Sequence, residues 1–233
     1  MKIAIFSIPG ISPGKHNIKD PRLDEVDKLV KAKKKTYIQV ESVGEDAALE
    51  ADAILVSEGS QTDLILKDLE FVETRLGRTE QADEKALLGK IKSTLEKEQL
   101  VFNLGLSEEE KKLISGYGLL TSRPVISARE EESAEPNGLL SRALKEGGFI
   151  SFFTSGEKET RAWLIRKGAT AWEAAGAIHS DIQHGFIRAE IISFNDYIQA
   201  GGESQAKQQG KLRLEQKDYL MQDADLANFR FNK

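Results

Sequence analysis

A glycine-rich loop with a lysine follows the first apolar segment of the chain. Residues 1–8 predict a buried β-strand, because residues 3–8 are almost entirely apolar. Gly10, Gly14 and Lys15 come next, at the position where a P-loop binds the phosphates of a nucleotide. In a P-loop, glycines let backbone N–H groups approach the phosphates, the lysine supplies positive charge, and the following helix adds its N-terminal dipole. These three residues are therefore the candidate nucleotide-binding residues.

The same loop departs from the P-loop pattern G-x-x-x-x-G-K-[ST] in four ways. Ser7 takes the place of the first glycine, and six residues rather than four separate it from Gly14. His16 replaces the hydroxyl residue that binds Mg²⁺, and no helical pattern follows Lys15. We therefore expect a degenerate loop and nominate no catalytic residue. Binding of ATP or GTP with Mg²⁺ by a rebuilt loop is the alternative.

Metal and thiol chemistry have little basis in this sequence. The chain contains no cysteine, which excludes disulfides, thiol nucleophiles and thiolate metal sites. His179, Asp181 and His184 are close together, but they join a predicted helix to a predicted strand and no further ligand is near them in sequence. We expect them to have a structural role, and no metal site is predicted.

Six cationic residues form the strongest candidate for a binding surface. They occur on or beside three predicted strands, 160–166, 186–193 and 211–215, in which apolar and polar residues alternate. The six are Arg161, Arg166, Lys167, Arg188, Lys211 and Arg213. Several are expected to share one exposed sheet face and to contact RNA phosphates, which would give salt-sensitive binding. Glu190 and Glu215 interrupt the set, so a solvated charged surface is the other interpretation.

Residues 149–233 carry the clearest strand signals. The predicted strands are 160–166, 186–193, 211–215, 219–222 and 226–231. A helix is predicted between the first two strands, because Thr170 and Glu173 have the spacing of a capping box. One helix among several short strands indicates a mixed α+β domain of the β-grasp type.

Residues 1–148 combine helices with apolar strands and form the other predicted domain. Asp20 and Pro21 are typical of a helix start, as N-cap and first helical residue. Further strands are predicted at 36–40, 51–56 and 123–128. Short helices are predicted from Ser107 to Ile114 and at 139–145, and residues 133–137 are the predicted interdomain linker.

A helical hairpin is predicted at about residues 62–98. Apolar residues recur there at spacings of three and four, which is typical of an antiparallel coiled-coil pair. They are Ile65, Leu69, Val72 and Leu76 in the first helix and Leu88, Ile91 and Leu95 in the second. The hairpin is a candidate surface for a protein partner.

The totals fit a soluble globular protein with two domains. The chain has 233 residues, 39% apolar and 30% charged, and a formal net charge of −5. Residues 149–233 hold 11 cationic and 11 acidic residues, so the acidic excess lies in residues 1–148. The only N-terminal apolar run, residues 3–8, is too short for a signal peptide or a spanning helix, so no membrane association is predicted and the cytoplasm is expected.

Four segments of the chain resemble the Obg-like ATPase (YchF) family. The longest begins at Phe152 and is FFTSGEKETRAWLIRKGATAWEAAGAIHSDIQHGFIRAEII. The others are DPRLDEVDKLVKAKK, TDLILKDLEFVETRL and SEEEKKLISGYGLLTSRPVISA. The resemblance implies a reduced P-loop NTPase-like α/β domain with an inserted coiled-coil hairpin, and a C-terminal TGS-type β-grasp domain. TGS domains in this family are associated with RNA, ribosomes or regulatory ligands.

The resemblance also shows where nucleotide recognition departs from the family. The family's strand corresponding to 123–128 leads into an asparagine-containing element that reads the base, but here Arg129 and three glutamates follow. The sequence therefore predicts a truncated, degenerate family member that binds a ribosome or RNA through its TGS domain, as a non-catalytic translation or stress factor. An ATPase or GTPase with an atypical loop and a protein-interaction scaffold are the alternatives.

Overall fold

The computed structural model describes residues 1–232, which form two compact units. The first contains Met1–His16 and Val40–Gly147, and the second contains Asn17–Gln39 together with residues 148–232. The chain passes from the first unit to the second between Gly147 and Gly148. The segment Asn17–Gln39, however, was predicted in the N-terminal domain and instead packs within the second unit.

Eleven strands and nine α-helices are present in residues 1–232. The strands are β1 (Lys2–Phe6), β2 (Gly14–Ile18), β3 (Lys35–Thr36), β4 (Ile38–Val43), β5 (Ala53–Ser57), β6 (Val125–Ala128), β7 (Phe149–Thr154), β8 (Thr160–Arg166), β9 (Phe186–Ile192), β10 (Arg213–Glu215) and β11 (Leu226–Phe231). The helices are α1 (Pro21–Val30), α2 (Gln61–Leu76), α3 (Ala82–Leu95), α4 (Glu108–Ile114), α5 (Pro136–Glu146), α6 (Ala171–Ile178), α7 (Ser180–His184), α8 (Phe194–Ala200) and α9 (Glu203–Gln208).

A five-stranded sheet organises the first unit, in the order β2-β4-β1-β5-β6. The strands β4, β1, β5 and β6 are parallel to their neighbours. Strands of a parallel sheet are covered on both faces and are therefore apolar throughout. This explains β5, in which every residue from Ala53 to Val56 is buried.

The predicted helical hairpin is present as α2 and α3. Its predicted apolar residues lie in one cluster, where Ile65, Val72 and Leu88 are buried and Leu69 is partly buried. The cluster also contains Val101, Ile114 and Leu119 from the segment that follows the hairpin. The stripe therefore packs against its own unit as well as between the two helices.

The predicted linker at 133–137 is wrong as a domain boundary. Its second half is the start of α5, with Pro136 at the first helical position, where the missing N–H has no intrahelical partner to lose. Leu139, Leu140 and Ala143 on this helix are buried, and α5 packs against β5 and β6 in the first unit. The boundary lies instead at Gly147 and Gly148.

The second unit contains a six-stranded mixed sheet in the order β10-β9-β11-β7-β8-β3. The pairs β10–β9, β9–β11 and β7–β8 are antiparallel, and β11–β7 and β8–β3 are parallel. The helix α6 begins at the predicted capping box, in which Thr170 and Glu173 bind each other's backbone N–H groups. It covers one face of the sheet through Ala171, Ala174 and Ala175, which pack with Phe152 in the core.

One prediction for the second unit is wrong, and four of its elements were not predicted. Residues 219–222 do not form a strand, because Leu220 makes a single bridge to Thr170 and Tyr219 uses its hydroxyl to contact Asp225. The strand β7 and the short helices α7, α8 and α9 were not predicted. Their apolar runs are too short or too continuous to show a helical or alternating period.

Candidate functional site

The loop after β1 does not have the geometry of a phosphate-binding loop. Ser7, Gly10 and Gly14 all have positive φ values, of 54°, 86° and 137°. The chain then enters β2, so Lys15 lies exposed in an edge strand and not at the start of a helix. The aligned N–H groups and dipole of a following helix, which a P-loop supplies to phosphate, are thus replaced by a strand.

His16 and Ser42 hold this loop by its carbonyl groups. The His16 Nε2 atom lies 2.9 Å from both the Ser12 carbonyl oxygen and the Ser42 Oγ. Ser42 is buried and donates its hydroxyl to the Ser12 carbonyl oxygen over 2.7 Å. The family's Mg²⁺-binding hydroxyl position is therefore occupied by a histidine that braces the loop.

A backbone acceptor lies close to Gly10. A Cβ atom added at this glycine would lie 3.2 Å from the Ser133 carbonyl oxygen. Phosphate oxygens are themselves acceptors and need N–H or cationic donors. Lys15 is the cation of this loop, and it is exposed in β2.

The segment after β6 corresponds to the family's base-reading element. It is held in place by a hydrogen bond and ion pairs between nearby residues of the first unit. The Arg129 backbone N–H donates to the Glu132 carboxylate over 2.8 Å, and the Glu132 carboxylate also contacts Arg142 at 3.1 Å. The Arg129 guanidinium lies 3.8 Å from Glu131. These groups hold one 3₁₀ turn, Glu130–Ala134, in the first unit.

The predicted cationic surface is split between the two faces of the second sheet. Arg161 alternates with Ala162 and shares the α6 face with Trp163, while Arg213 pairs with Ile191 on that same face. Arg166 pairs with Phe149, and Arg188 neighbours the core residue Ala189, which places both on the opposite face. The expectation of one shared face is wrong because strand pairing fixes the register.

Arg166 and Arg188 are also far apart along the strands. Leu226 of β11 is level with Phe153 of β7, so Phe149 lies four residues before this level. Arg230, the partner of Arg188, lies four residues beyond it. At about 3.3 Å per residue, the two arginines are separated by roughly 26 Å along the strand direction.

The remaining predicted cations have local partners. Lys211 lies 3.0 Å from Asp196, and Arg213 lies 3.3 Å from Glu215 and donates to the Tyr219 hydroxyl over 3.0 Å. Lys167 is exposed at the end of β8, where its backbone N–H binds the Gly148 carbonyl oxygen. Arg166 lies 4.1 Å from the centroid of the Phe149 ring.

A groove at the β3–β8 edge of the second unit was not predicted. It has a volume of about 360 Å³. Its polar and aromatic lining is Asn17, Thr36, Tyr37, Gln39, Arg161 and Trp163. Arg161 is the one residue of the predicted cationic set that lies in it. The basic run Lys33-Lys34-Lys35 beside an Arg-x-Trp alternation was the signal available in the sequence.

The histidine-containing segment has the structural role expected of it. The backbone N–H of Asp181 donates to the His179 Nδ1 over 3.1 Å, which makes His179 the N-cap of α7. Within residues 1–232, no three His, Asp or Glu side chains are grouped so that they could hold a metal ion. None of the helices in this part of the chain is long and apolar enough to cross a membrane.

The fold defines a mixed α/β protein with a largely parallel sheet in one unit and a mixed sheet in the other. The solved structure of the Schizosaccharomyces pombe YchF GTPase has this fold, with a TM-score of 0.75 at 20% identity over 99% of this chain and 97% of that chain. Residues 149–232 match the family model YchF-GTPase_C, described as a protein of unknown function (DUF933).

Sequence similarity extends beyond the C-terminal part. A Ribosome-binding ATPase YchF from Bacillus subtilis (strain 168) is 32% identical over 235 residues, and one from Haemophilus influenzae is 34% identical over 233 residues. Both alignments cover 73% of this chain and 64% of the relative, so the chain spans slightly less than two thirds of their length. The chain belongs to the YchF family.

Proposed function

We propose that this chain is a ribosome-associated member of the YchF family that does not hydrolyse nucleotide. The carrying observation is the path of the chain after β1, which enters strand β2 where a phosphate-binding helix would be needed. The His16–Ser42 contacts and the Ser133 carbonyl oxygen close to Gly10 support the same conclusion. The family resemblance supplies the partner, because the relatives are named ribosome-binding ATPases.

The second unit is the proposed contact with the ribosome. Residues 149–232 are the part that matches the family's C-terminal model, and we assign them a TGS-type β-grasp fold. The predicted cations lie on this unit, so RNA phosphates are the expected ligands at Arg161, Arg166, Lys167, Arg188, Lys211 and Arg213. Ribosome association would also place the chain in the cytoplasm.

Single charge reversals identify the face that contacts the ribosome. Arg161→Glu changes the α6 face of the sheet, and Arg188→Glu changes the opposite face. We expect the protein to pellet with ribosomes at low salt. We expect Arg161→Glu to lose this pelleting, because Arg161 lines the groove at the β3–β8 edge. If neither reversal alters pelleting, RNA contact through these residues is wrong.

Nucleotide titration tests whether the chain binds ATP or GTP at all. A ligand present at 100 times its dissociation constant stabilises a protein by about 2.7 kcal/mol, which a melting experiment detects readily. We expect millimolar ATP or GTP, with or without Mg²⁺, to leave the melting temperature unchanged. A shift that is lost in Lys15→Ala would instead support the alternative of an ATPase or GTPase with an atypical loop.

The helical hairpin is the proposed contact for a protein partner. Leu66 on α2 is an exposed apolar side chain on a helix whose other face is buried. Replacing it with serine leaves the buried stripe intact. The expected result is loss of a co-purifying protein with no change in melting temperature, and retention of that protein would contradict this contact.

A further inference from the structure

The groove at the β3–β8 edge combines a stacked arginine, two amides and a basic segment within the second unit. We propose that it binds single-stranded RNA, with one base stacked on Arg161 and the backbone on Lys31 and Lys33. This inference rests on the proposed function, since it names the class of RNA and the residues that would recognise it.

The stacking platform is already assembled in the protein. The rings of Phe152 and Trp163 are stacked, with centroids 6.4 Å apart and planes 15° from parallel. The guanidinium carbon of Arg161 lies 3.9 Å from the Trp163 ring centroid. The Trp163 Nε1–H donates to the Thr154 Oγ1 over 2.9 Å, which fixes the rotation of the indole. The protein therefore presents a guanidinium plane on an aromatic stack.

A nucleobase can extend this stack by one layer. A guanidinium is planar and weakly hydrated, and it stacks on flat π-systems in the way an aromatic ring does. Arg161 lines the groove. The carboxylate of Glu159, two residues earlier in the chain, accepts a hydrogen bond from Thr36 and lies 3.3 Å from the Lys34 Nζ, so this acid has partners other than Arg161.

Two amide side chains lie in the same groove. The Gln39 Nε2 donates to the Asn17 Oδ1 over 3.3 Å, and both residues are exposed. This contact leaves the Gln39 carbonyl oxygen and one or more amide hydrogens on each side chain for a base edge. The base edges of single-stranded RNA are read by hydrogen bonds of this kind.

A basic segment runs directly beside Arg161. Thr36 of β3 is paired with Arg161 of β8, and the backbone N–H of Lys33 binds the Glu157 carbonyl oxygen over 3.0 Å. Lys34 and Lys35 are neutralised by Glu159 and Asp24, at 3.3 and 2.7 Å.

Lys31 and Lys33 are exposed, and no carboxylate of the described residues pairs with them. Lys33 is held beside this edge by its backbone contact with Glu157, and Lys31 lies two residues before it, at the C-terminal end of α1. The lysines favour an anionic ligand, and the guanidinium on its aromatic stack favours a ligand that carries flat bases along the same chain as its charges.

The geometry favours single strands over duplexes. Bases of an RNA duplex are stacked on one another and cannot reach a protein platform, whereas single-stranded bases can be splayed onto it. Base stacking on protein side chains contributes about 1–3 kcal/mol per base in alanine-substitution experiments. A duplex would contact the lysines alone and lose this contribution.

The test measures binding of labelled oligo(A) of about 12 nucleotides by fluorescence anisotropy. Arg161→Ala is expected to weaken binding about 5- to 150-fold, the equivalent of one stacked base. Arg161→Lys keeps the charge but loses the plane, so it should weaken binding at least about 5-fold with the salt dependence unchanged. Lys217→Ala, after β10 at the other edge of the sheet, is the charge-matched control and should bind like the wild type.

The lysine contribution is read from the salt dependence. Each phosphate contact with a single strand contributes about −0.7 to the slope of log affinity against log salt, so the two contacts of Lys31 and Lys33 predict about −1.4. Lys31→Ala/Lys33→Ala should bring the slope close to zero and should not alter the preference for an oligomer with bases over an abasic one.

Three results would overturn this inference. Arg161→Lys could bind like the wild type, duplex RNA could bind as tightly as oligo(A), or the wild type could fail to bind oligo(A) at low salt. Ribosome pelleting by the same protein samples separates the two claims. Pelleting without oligo(A) binding rejects this groove alone, whereas oligo(A) binding without pelleting rejects ribosome association.

Discussion

Arg22 connects two segments of the second unit that are distant in sequence. Its guanidinium lies 2.7 Å from Asp223 and 2.8 Å from Asp20, and its carbon lies over the Phe153 ring at 5.8 Å. Burial acts to raise the pKa of Asp223, but the hydrogen bonds from Arg22 and from the Ser151 backbone outweigh it and lower the pKa. The network explains why a segment from the N-terminal half belongs to this unit.

Arg22→Met should destabilise the second unit. It keeps the apolar stem but leaves two carboxylates without their cation, and hydrogen bonds to charged groups contribute about 1.5–3 kcal/mol each when well buried. Because Asp223 is 37% exposed, we expect a loss of about 1–2 kcal/mol in urea unfolding. Arg188→Met, at an exposed position, is the control, and an equal loss in both variants would contradict a specific role for Arg22.

Glu84 fixes the end of the helical hairpin in the first unit. Its carboxylate accepts hydrogen bonds from Arg75 Nε over 2.7 Å and from the hydroxyl groups of Thr79 and Tyr117. The hydrogen bond from Arg75, followed by those from Thr79 and Tyr117, lowers the pKa of Glu84 to about 2. The folded protein therefore stabilises the ionised form of the Glu84 side chain.

Glu84→Gln should lower the melting temperature in a pH-dependent way. The folded-state pKa lies below the ordinary value of 4.5, so the stabilisation is complete above pH 4.5 and is lost as the pH falls towards 2. We expect the difference in melting temperature from wild type to be constant near neutral pH and to shrink between pH 4.5 and 2. A difference that is independent of pH over this range would show that the ionised carboxylate is not responsible.

At the scale of elements, the hairpin offers a matched pair of leucines. Leu88 on α3 is fully buried in the cluster with Val101 and Ile114, whereas Leu66 on α2 is 55% exposed. Leu88→Ala should cost about 2–5 kcal/mol, the range for large-to-small substitutions in a core. Leu66→Ala should change the unfolding free energy by less than about 0.5 kcal/mol. Similar losses in the two variants would mean that α3 does not pack as described.

Local sequence signals predicted the elements that local interactions decide. The capping boxes at Thr170 and Ser107 satisfy N–H groups within one turn, and both helices begin there. The strand β3 was missed in its true place because it has two residues and is defined by pairing with β8. Pairing between segments that are distant in sequence produces no hydrophobic periodicity in either segment.

The same distinction between local signals and long-range strand pairing applies to the candidate site. The departure of the first loop from a P-loop was evident from spacing and residue type at Ser7 and His16, and the structure places a strand after it. The shared cationic face was wrong because alternation fixes the face of a residue only within its own strand. Relating Arg161 to Arg188 required the register across four strands of the sheet.

At the scale of the molecule, ribosome binding and nucleotide turnover are expected to be separate properties in this chain. Residues 149–232 match the family's C-terminal model, whereas the loop at the end of β1 leads into strand β2 and not into a helix. The chain also spans 64% of the length of the relatives named ribosome-binding ATPases. We therefore expect ribosome association that is indifferent to nucleotide.

Sedimentation with ribosomes through a sucrose cushion tests this expectation most directly. The protein is pelleted at low salt without nucleotide, with ATP and Mg²⁺, and with GTP and Mg²⁺, and the bound fraction is compared. We expect the same substantial bound fraction in all three samples, and a decrease as salt is raised, because phosphate contacts are salt-sensitive. Absence from the pellet in every sample, or binding that requires or is abolished by a nucleotide, would contradict it.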